Sequence, residues 1–560
     1  MNLQPLPVRA EHMGAAFGSD PELELPERPR FIPELVTLPF GADGLLVVGA
    51  NDRQLLRGRA ARTLLPELLP LLDGRRTLDE LAAAVPSLSA TGVRDVIALL
   101  QSRGLLEDGD PGPPQPGLEH VDAFAGRYVD ITRVNRNRAE VLGRVARTAI
   151  LVTGAGEAAA EARERLAETG AAAAGSVAEA QLVLMVTEGE EERRADLPRL
   201  RPGTLVLPVR LGADEAALGP LLAAEEQPCA RCLARLAGSP AGRPSVDDAR
   251  FFGSLAALHG FHVASRLVGV GMHLHRAVRR FRKGPDGLLR DVVTVARTPG
   301  CDACGCGGPA LEPGSDAERA WLEHVAGSLP PRRFISPRDH QQHYSAGNVQ
   351  LKHEPTELRF PGPAVRLPAP LPLPPALPWR TRRPAASAVT LETLATVCGR
   401  SFGLHPDRAG GPWRIAPTGG SLFSPELFVA AHSVEGLPSG LYHYDGASHA
   451  LGKLAAGPED AFRLVAAPPA PALLLGVAAL GRLRRKYGPL SDRLSCLDAG
   501  VAFAYLRDVA LALGLDVVEP PAVAATELVD LLGLGTIDGR YAPTFALALH
   551  DGPEGRRAAA

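Results

Sequence analysis

The chain has almost no excess charge of either sign. Its 560 residues include 60 Lys and Arg against 63 Asp and Glu, for a formal net charge of -3. That balance removes the electrostatic argument for a nucleic-acid or membrane-surface partner. Residues 1–30 also lack an apolar h-region, so no export signal is expected. The longest charge-free run, "LVAAPPAPALLLGVAALG" at 464–481, is broken by prolines into short apolar halves. It suits a buried strand better than a membrane span. Cysteine is scarce, at seven residues, and four of these fall in two C-x-x-C pairs. Without an export signal such pairs read as metal ligands rather than disulfides, and a cytoplasmic location is expected. No internal repeat is visible.

What is present describes a globular chain of several domains. The composition is 45% hydrophobic and 22% charged, and at roughly 100–200 residues per domain the length implies three to five. Three blocks emerge between breaks rich in Pro and Gly. The first, 31–108, has short strands in "FIPELVTLPF" and "LLVVG". Helices follow in "TLDELAAAVPSL", where Thr77 and Glu80 have capping-box spacing, and in "GVRDVIALLQSRGLLED", closed by Gly104. Small strands followed by helices predict a winged-helix-like domain. The second block, 118–335, alternates strands ("TAILVTG", "AQLVLMVT", "TLVLPVRLG") with helices and predicts a parallel α/β sheet. Residues 336–384 end in a proline-rich stretch and read as a linker. The third block, 385–553, mixes helices with strands such as "ELFVAAHSV", "GLYHYD" and "APTFALALHD", which predicts an α+β domain.

Three motifs bear chemistry. Cys229-x-x-Cys232 and Cys301-x-x-Cys304 lie in turn-rich sequence, and four thiolates would complete the closed tetrahedral shell of a structural Zn2+. The bland alternative is four reduced bystanders. "TGAGEAA" at 153–159 fits G-x-G-x-x-A between a strand and a helix, yet the stretch about 20 positions on, "AAAAGSVAEA", holds no convincing acidic ligand for a ribose. A turn that only lets the helix pack on the strand accounts for it better than a nucleotide site. The third group lies in the last block: Arg382 and Arg383, then the "PTGG" loop of Pro417, Thr418, Gly419 and Gly420, then Lys486 and Tyr487, then Arg493. Arginines distant in sequence can converge on a phosphate, and Gly-rich backbone can approach a ring closely. A polar loop with surface arginines is the competing reading.

At these residues the chain resembles known families. The stretch 365–552, through "LPAPLP", "RRPAAS", "PTGGSLFSPELFV", "EGLPSGLYHYD", "RKYG" and "LDAG", resembles the azoline dehydrogenases of thiazole/oxazole-modified peptide biosynthesis, flavin enzymes of the nitroreductase superfamily. The first two blocks resemble the leader-peptide-binding partner protein of the same pathways. That protein joins a winged-helix-like recognition domain to a ThiF-like domain, and "LVLPVRLG…LGPLLAAEEQPCARCLARL" matches its zinc region.

The resemblance implies a specific activity. A ribosomally made precursor peptide would dock its leader on residues 31–108 as an added β-strand. A YcaO-type cyclodehydratase would cyclise its Cys, Ser or Thr residues, and residues 385–553 would oxidise the azolines to azoles with FMN. The family's catalytic Lys-Tyr pair maps onto Lys486 and Tyr487, with the Lys486 ammonium expected to favour the Tyr487 phenolate. FMN would be held by Arg382, Arg383, Pro417, Thr418, Gly419, Gly420 and Arg493, in a homodimer. The family pattern is altered at Pro384, Leu490 and Val501. The alternative is a non-catalytic adaptor that presents the precursor to the cyclodehydratase.

Overall fold

The computed structural model describes residues 9–19, 24–50, 53–129, 134–189, 202–223, 228–238, 240–267, 274–285, 287–304, 307–328, 351, 358, 360, 362–373, 388–405, 413–521, 524–535 and 540–552. The chain divides into two compact units, 1–346 and 347–560. Both are mixed α/β, with several sheets between them. No helix among the described residues is long and apolar enough to cross a membrane.

The first unit opens with helix α1 (Ala10–Ser19) and strand β1 (Pro29–Phe31). An antiparallel sheet follows, built of β2 (Val36–Phe40), β3 (Gly44–Val48) and β4 (Gln54–Arg57) in that order. Helix α2 (Leu78–Ala84) begins at the expected capping box: Thr77 accepts from the Glu80 amide, and the Glu80 carboxylate accepts from the Thr77 amide. Helix α3 (Ala90–Ser102) buries Val93, Ile97 and Leu100 on one face and stops at Gly104, which has φ 70°. Strand β5 (Leu106–Asp108) then pairs with β1. On β2 the apolar Val36, Leu38 and Phe40 are all exposed, an unusual cost for an edge strand.

The strand–helix alternation within 118–335 builds a parallel core, to which antiparallel strands outside the expected parallel sheet are added. Strands β6 (Ala149–Thr153), β7 (Ala172–Ala173), β8 (Leu182–Glu188) and β9 (Leu205–Leu211) form a parallel core in the order β7-β6-β8-β9. Antiparallel β10 (Glu215–Leu218), β12 (Ala277–Gly284) and β13 (Gly287–Thr294) extend one side, and β11 (Leu222–Ala223) also pairs with β9. Helix α4 (Glu157–Ala167) follows β6. It packs with the long helix α6 (Val246–Ser265) over one face of the sheet, where Leu184, Val186, Leu207 and Val209 are buried.

The first two sequence blocks meet around Arg138, whose side chain is 4% exposed. Its guanidinium reaches Glu34 at 2.5 Å, Glu107 at 3.0 Å and Asp122 at 3.2 Å. Sequence inspection gives no sign of this network, because its acids come from three separate segments. Arg138→Ala would take the paired cation from Glu34 and Asp122 and leave the buried Glu107 with Arg30 alone, at 2.7 Å, so it should lower stability by roughly 3–5 kcal/mol. Denaturant unfolding of the full chain checks this, and a loss below about 1 kcal/mol would show that the acids find other partners.

The second unit is an antiparallel sheet in the order β14-β17-β16-β15-β18-β20-β19. Its strands are β14 (Ala364–Arg366), β15 (Pro425–Ala431), β16 (Gly440–Asp445), β17 (Ala450–Lys453), β18 (Ala472–Ala479), β19 (Asp516–Val518) and β20 (Tyr541–His550). Strand β14 lies within the stretch read as linker; it pairs with β17 at the sheet edge, where flanking prolines do no harm. The charge-free run supplies β18, which is buried at every position. Helices α7 (Leu391–Phe402) and α9 (Ser491–Ala512) cover one face of the sheet, and residues 458–464 and 525–531 pack on the other. Between β18 and α9 comes α8 (Leu480–Tyr487).

Candidate functional site

Lys486 and Tyr487 form the last turn of α8, and the expected turn follows at Gly488, with φ 52°. Across from them lies the "PTGG" loop. Gly420 has φ 60°, and Ser421 and Phe423 are also left-handed, at φ 56° and 55°. Ser421 and Phe423, as non-glycine residues at positive φ, are strained backbone of the kind found at functional sites. The loop is braced by Thr418, whose hydroxyl accepts from the Phe423 amide at 3.1 Å.

The two segments meet at Gly420. A Cβ placed there would collide with the Tyr487 hydroxyl and come within 2.7 Å of the Lys486 ammonium. Gly420 is therefore required twice, for its positive φ and for the close approach it permits. Lys486 Nζ stands 5.1 Å from the Tyr487 ring centroid. Leu494, on the first turn of α9, packs against Gly419.

A residue that sequence reasoning left without a role holds this arrangement. Asp498, the acid of "LDAG", accepts from the Gly419 amide at 2.7 Å and from the Ser424 hydroxyl at 2.6 Å. Burial raises its carboxyl above the usual range, against the lowering effect of those two bonds. Its place in a quoted motif was visible; its partners, more than 70 residues away, were not.

The Tyr487 phenol behaves differently from the expectation. Burial pushes its pKa above the ordinary value, and the nearby Asp498 charge adds to the rise. The Lys486 ammonium, expected to favour the phenolate, does not outweigh them. Sequence adjacency supplied the cation but concealed the desolvation and the acid.

Of the other predicted residues, Pro417 and Thr418 enter the loop and Arg493 lies on the first turn of α9, one position before Leu494. Arg382 and Arg383 lie outside the described residues, as does Pro384. Leu490 sits between α8 and α9, and Val501 is on the exposed side of α9 with Leu497 and Tyr505.

In the first unit the four cysteines come together. The sulfurs of Cys229, Cys232, Cys301 and Cys304 all lie within 4.8 Å of one another, with Cys229–Cys301 and Cys232–Cys304 at 3.7 Å. A tetrahedron of zinc–sulfur bonds near 2.3 Å has sulfurs about 3.8 Å apart. The cluster can hold a metal such as zinc. Cys229 also caps helix α5 (Ala230–Ala237) by accepting from the Cys232 amide, and the Thr298 amide points at Cys232 Sγ. Backbone N–H groups of Cys304 and Ala303 draw Cys301 down to about 6, whereas burial pushes Cys229 up to about 12.

The "TGAGEAA" turn is occupied from within. Gly154 adopts φ 109° between β6 and α4, and Gly156 leaves room for the Glu188 carboxylate. Glu188 accepts from the Ala158 amide at 2.9 Å. A side-chain anion thus sits on the helix N-terminus that a phosphate would use in a nucleotide fold.

No family model matches the chain, and no curated protein matches it. Solved structures similar to it include a heterocyclase in complex with substrate and cofactor, at 15% identity over 50% of this chain and 39% of that chain, TM-score 0.35. A putative nitroreductase from Ralstonia eutropha JMP134 is 21% identical over 36% of this chain and 98% of its own length, TM-score 0.28. The heterocyclase TruD is 14% identical over 77% of this chain and 63% of its own, TM-score 0.38. The chain spans less than two thirds of either heterocyclase.

Proposed function

We propose that the chain is an FMN-dependent dehydrogenase that oxidises azolines to azoles in a ribosomally made peptide, with its own leader-binding and zinc-stabilised scaffold domains. The observation behind this reading is the meeting of Lys486, Tyr487 and the Gly419–Gly420 loop, held by Asp498. The loop fits a flat cofactor, because its two glycines present backbone rather than side chains. Thr418, Gly419 and Gly420 would border the flavin ring, and Arg382, Arg383 and Arg493 would hold its phosphate. When bound, FMN supplies the hydride acceptor.

The protein's own residues handle the proton. Azole formation removes two hydrogens from the ring, one as hydride and one as a proton. Tyr487 Oη accepts the proton, and the Lys486 ammonium stabilises the phenolate that must form first. Asp498 fixes the loop, and burial together with the negative charge of Asp498 keeps Tyr487 protonated to higher pH. A second copy of the chain fits α9, where Leu497, Val501 and Tyr505 recur every four residues on an exposed face.

Purified protein should be yellow and retain FMN through gel filtration. A preparation that stays colourless after reconstitution would leave the adaptor reading instead, with a YcaO-type cyclodehydratase as the partner served.

Leader docking is the second arm of the proposal. An added strand needs a free sheet edge, and among the described residues the β2-β3-β4 sheet has two, with Val36, Leu38 and Phe40 exposed on β2 and Leu55 on β4. Leu38→Glu or Leu55→Glu should weaken leader-peptide binding about tenfold or more, read by fluorescence anisotropy, and the sensitive variant names the edge. Unchanged affinity in both would remove this sheet from the docking site.

A further inference from the structure

A cleft of about 370 Å3 opens in the first unit, beside β5 and the segment that leads into β1. Pockets that take a small molecule or a side chain span roughly 300–1,000 Å3, so this one has room for a ligand. Its apolar wall is made by Leu25, Leu106 and Val129. Leu106 and Val129 are each 1% exposed and form the deep end. Leu25 and Leu106 belong to the first sequence block and its lead-in, whereas Val129 comes from the second, at the end of the helix Glu119–Tyr128. The cleft therefore straddles the same joint that Arg138 holds.

The mouth is acidic. Glu24, Glu27 and Asp108 share it with one guanidinium, that of Arg136. Arg136 is committed to Asp108, with Nη2 at 2.8 Å and Nε at 3.1 Å, and Asp108 also accepts from the Arg28 amide at 2.9 Å. The same guanidinium reaches Glu27 only at 3.4 Å, and the Glu27 side chain is 81% exposed. Glu24 is exposed as well. Negative charge thus exceeds positive charge around an opening with low-dielectric walls, which concentrates the field on whatever enters. An anion is repelled, and a cation is drawn in.

We propose that this cleft binds an organic cation with an aliphatic stem. The stem lies on Leu25, Leu106 and Val129, and the ammonium or guanidinium stands at the mouth beside Glu24 and Glu27. Long cationic side chains divide themselves in this way, with methylenes on apolar surface and the charged head towards water. A bare cation would leave the apolar wall wet, and an uncharged alkyl chain would gain nothing from the carboxylates. The cation belongs either to a Lys or Arg side chain of a peptide or to a free aliphatic amine. The proposal is independent of the flavin chemistry of the second unit and of leader docking at β2 or β4.

The test is titration calorimetry on the full chain at fixed ionic strength. The probes are cadaverine, methylammonium, and blocked alanine tripeptides with a central lysine, arginine, norleucine or glutamate. At least one stemmed cation (cadaverine or the lysine or arginine peptide) should bind wild type about tenfold or more tightly than methylammonium, the norleucine peptide and the glutamate peptide. Exposed ion pairs are individually weak, so Glu24→Gln and Glu27→Gln are combined in one variant. Both side chains are exposed, so the double variant should fold normally, and it should bind the same cation about tenfold less tightly. Tighter binding of a lysine or arginine peptide than of cadaverine identifies a peptide side chain; equal or weaker binding identifies a free amine. No binding of any stemmed cation to wild type, equal binding of methylammonium or of the norleucine peptide, or equal binding to wild type and the double variant would overturn the site.

Discussion

Tyr487→Phe is expected to keep FMN and lose azole formation by about two to four orders of magnitude, the usual range for removing a general base. The phenol contacts Gly420 through its hydroxyl, so the change deletes one oxygen and leaves the ring packed. Lys486→Ala should also lose activity with flavin retained. The pH profile separates a base from a merely structural tyrosine. Burial and Asp498 raise the Tyr487 pKa, so the phenolate fraction at neutral pH is small and grows with pH. The wild-type rate should climb about tenfold per pH unit from pH 7 towards the elevated pKa, and the residual rate of Tyr487→Phe should stay flat. Full activity in both variants would sink the assignment.

Cys301→Ser should empty the metal centre and destabilise the first unit without changing flavin content. Structural zinc sites contribute roughly 10–16 kcal/mol in small domains, and the four sulfurs join α5 to the segment around Thr298. Loss of one ligand should therefore lower zinc below one per chain, cut solubility and bring forward the melting of that unit, measured by metal analysis and calorimetry. Loss of flavin with zinc retained would contradict the division of labour between the units.

The cysteine cluster was legible in the sequence because paired thiols in turns have few other uses, and the distances agree with a tetrahedral shell. The strand–helix alternation of 118–335 was legible for a similar reason: buried parallel strands need unbroken apolar runs, and β8 and β9 have them. Lys486, Tyr487 and the glycine loop could be named individually, though not their meeting point. Asp498 and Arg138 act across long sequence separations, so local pattern gives neither their partners nor their burial. The direction of the Tyr487 pKa failed for the same reason, since desolvation is a property of the packed fold. Glu188 shows the reverse: the acid that explains the "TGAGEAA" turn lies beyond the stretch where a ribose ligand would stand, and it is bound to the turn itself.

Gly420 and Gly488 both have positive φ, one in the loop and one directly after Tyr487. Different constraints fix them. Nothing lies within 4 Å of a Cβ on Gly488, yet its φ of 52° with ψ of -132° is a conformation that residues with a side chain rarely adopt. At Gly420 any other residue would also put a carbon between the loop and the Lys486–Tyr487 pair. A substitution at Gly488 therefore costs backbone strain alone, whereas one at Gly420 also costs the contact, so natural variation reaches the first position more readily than the second.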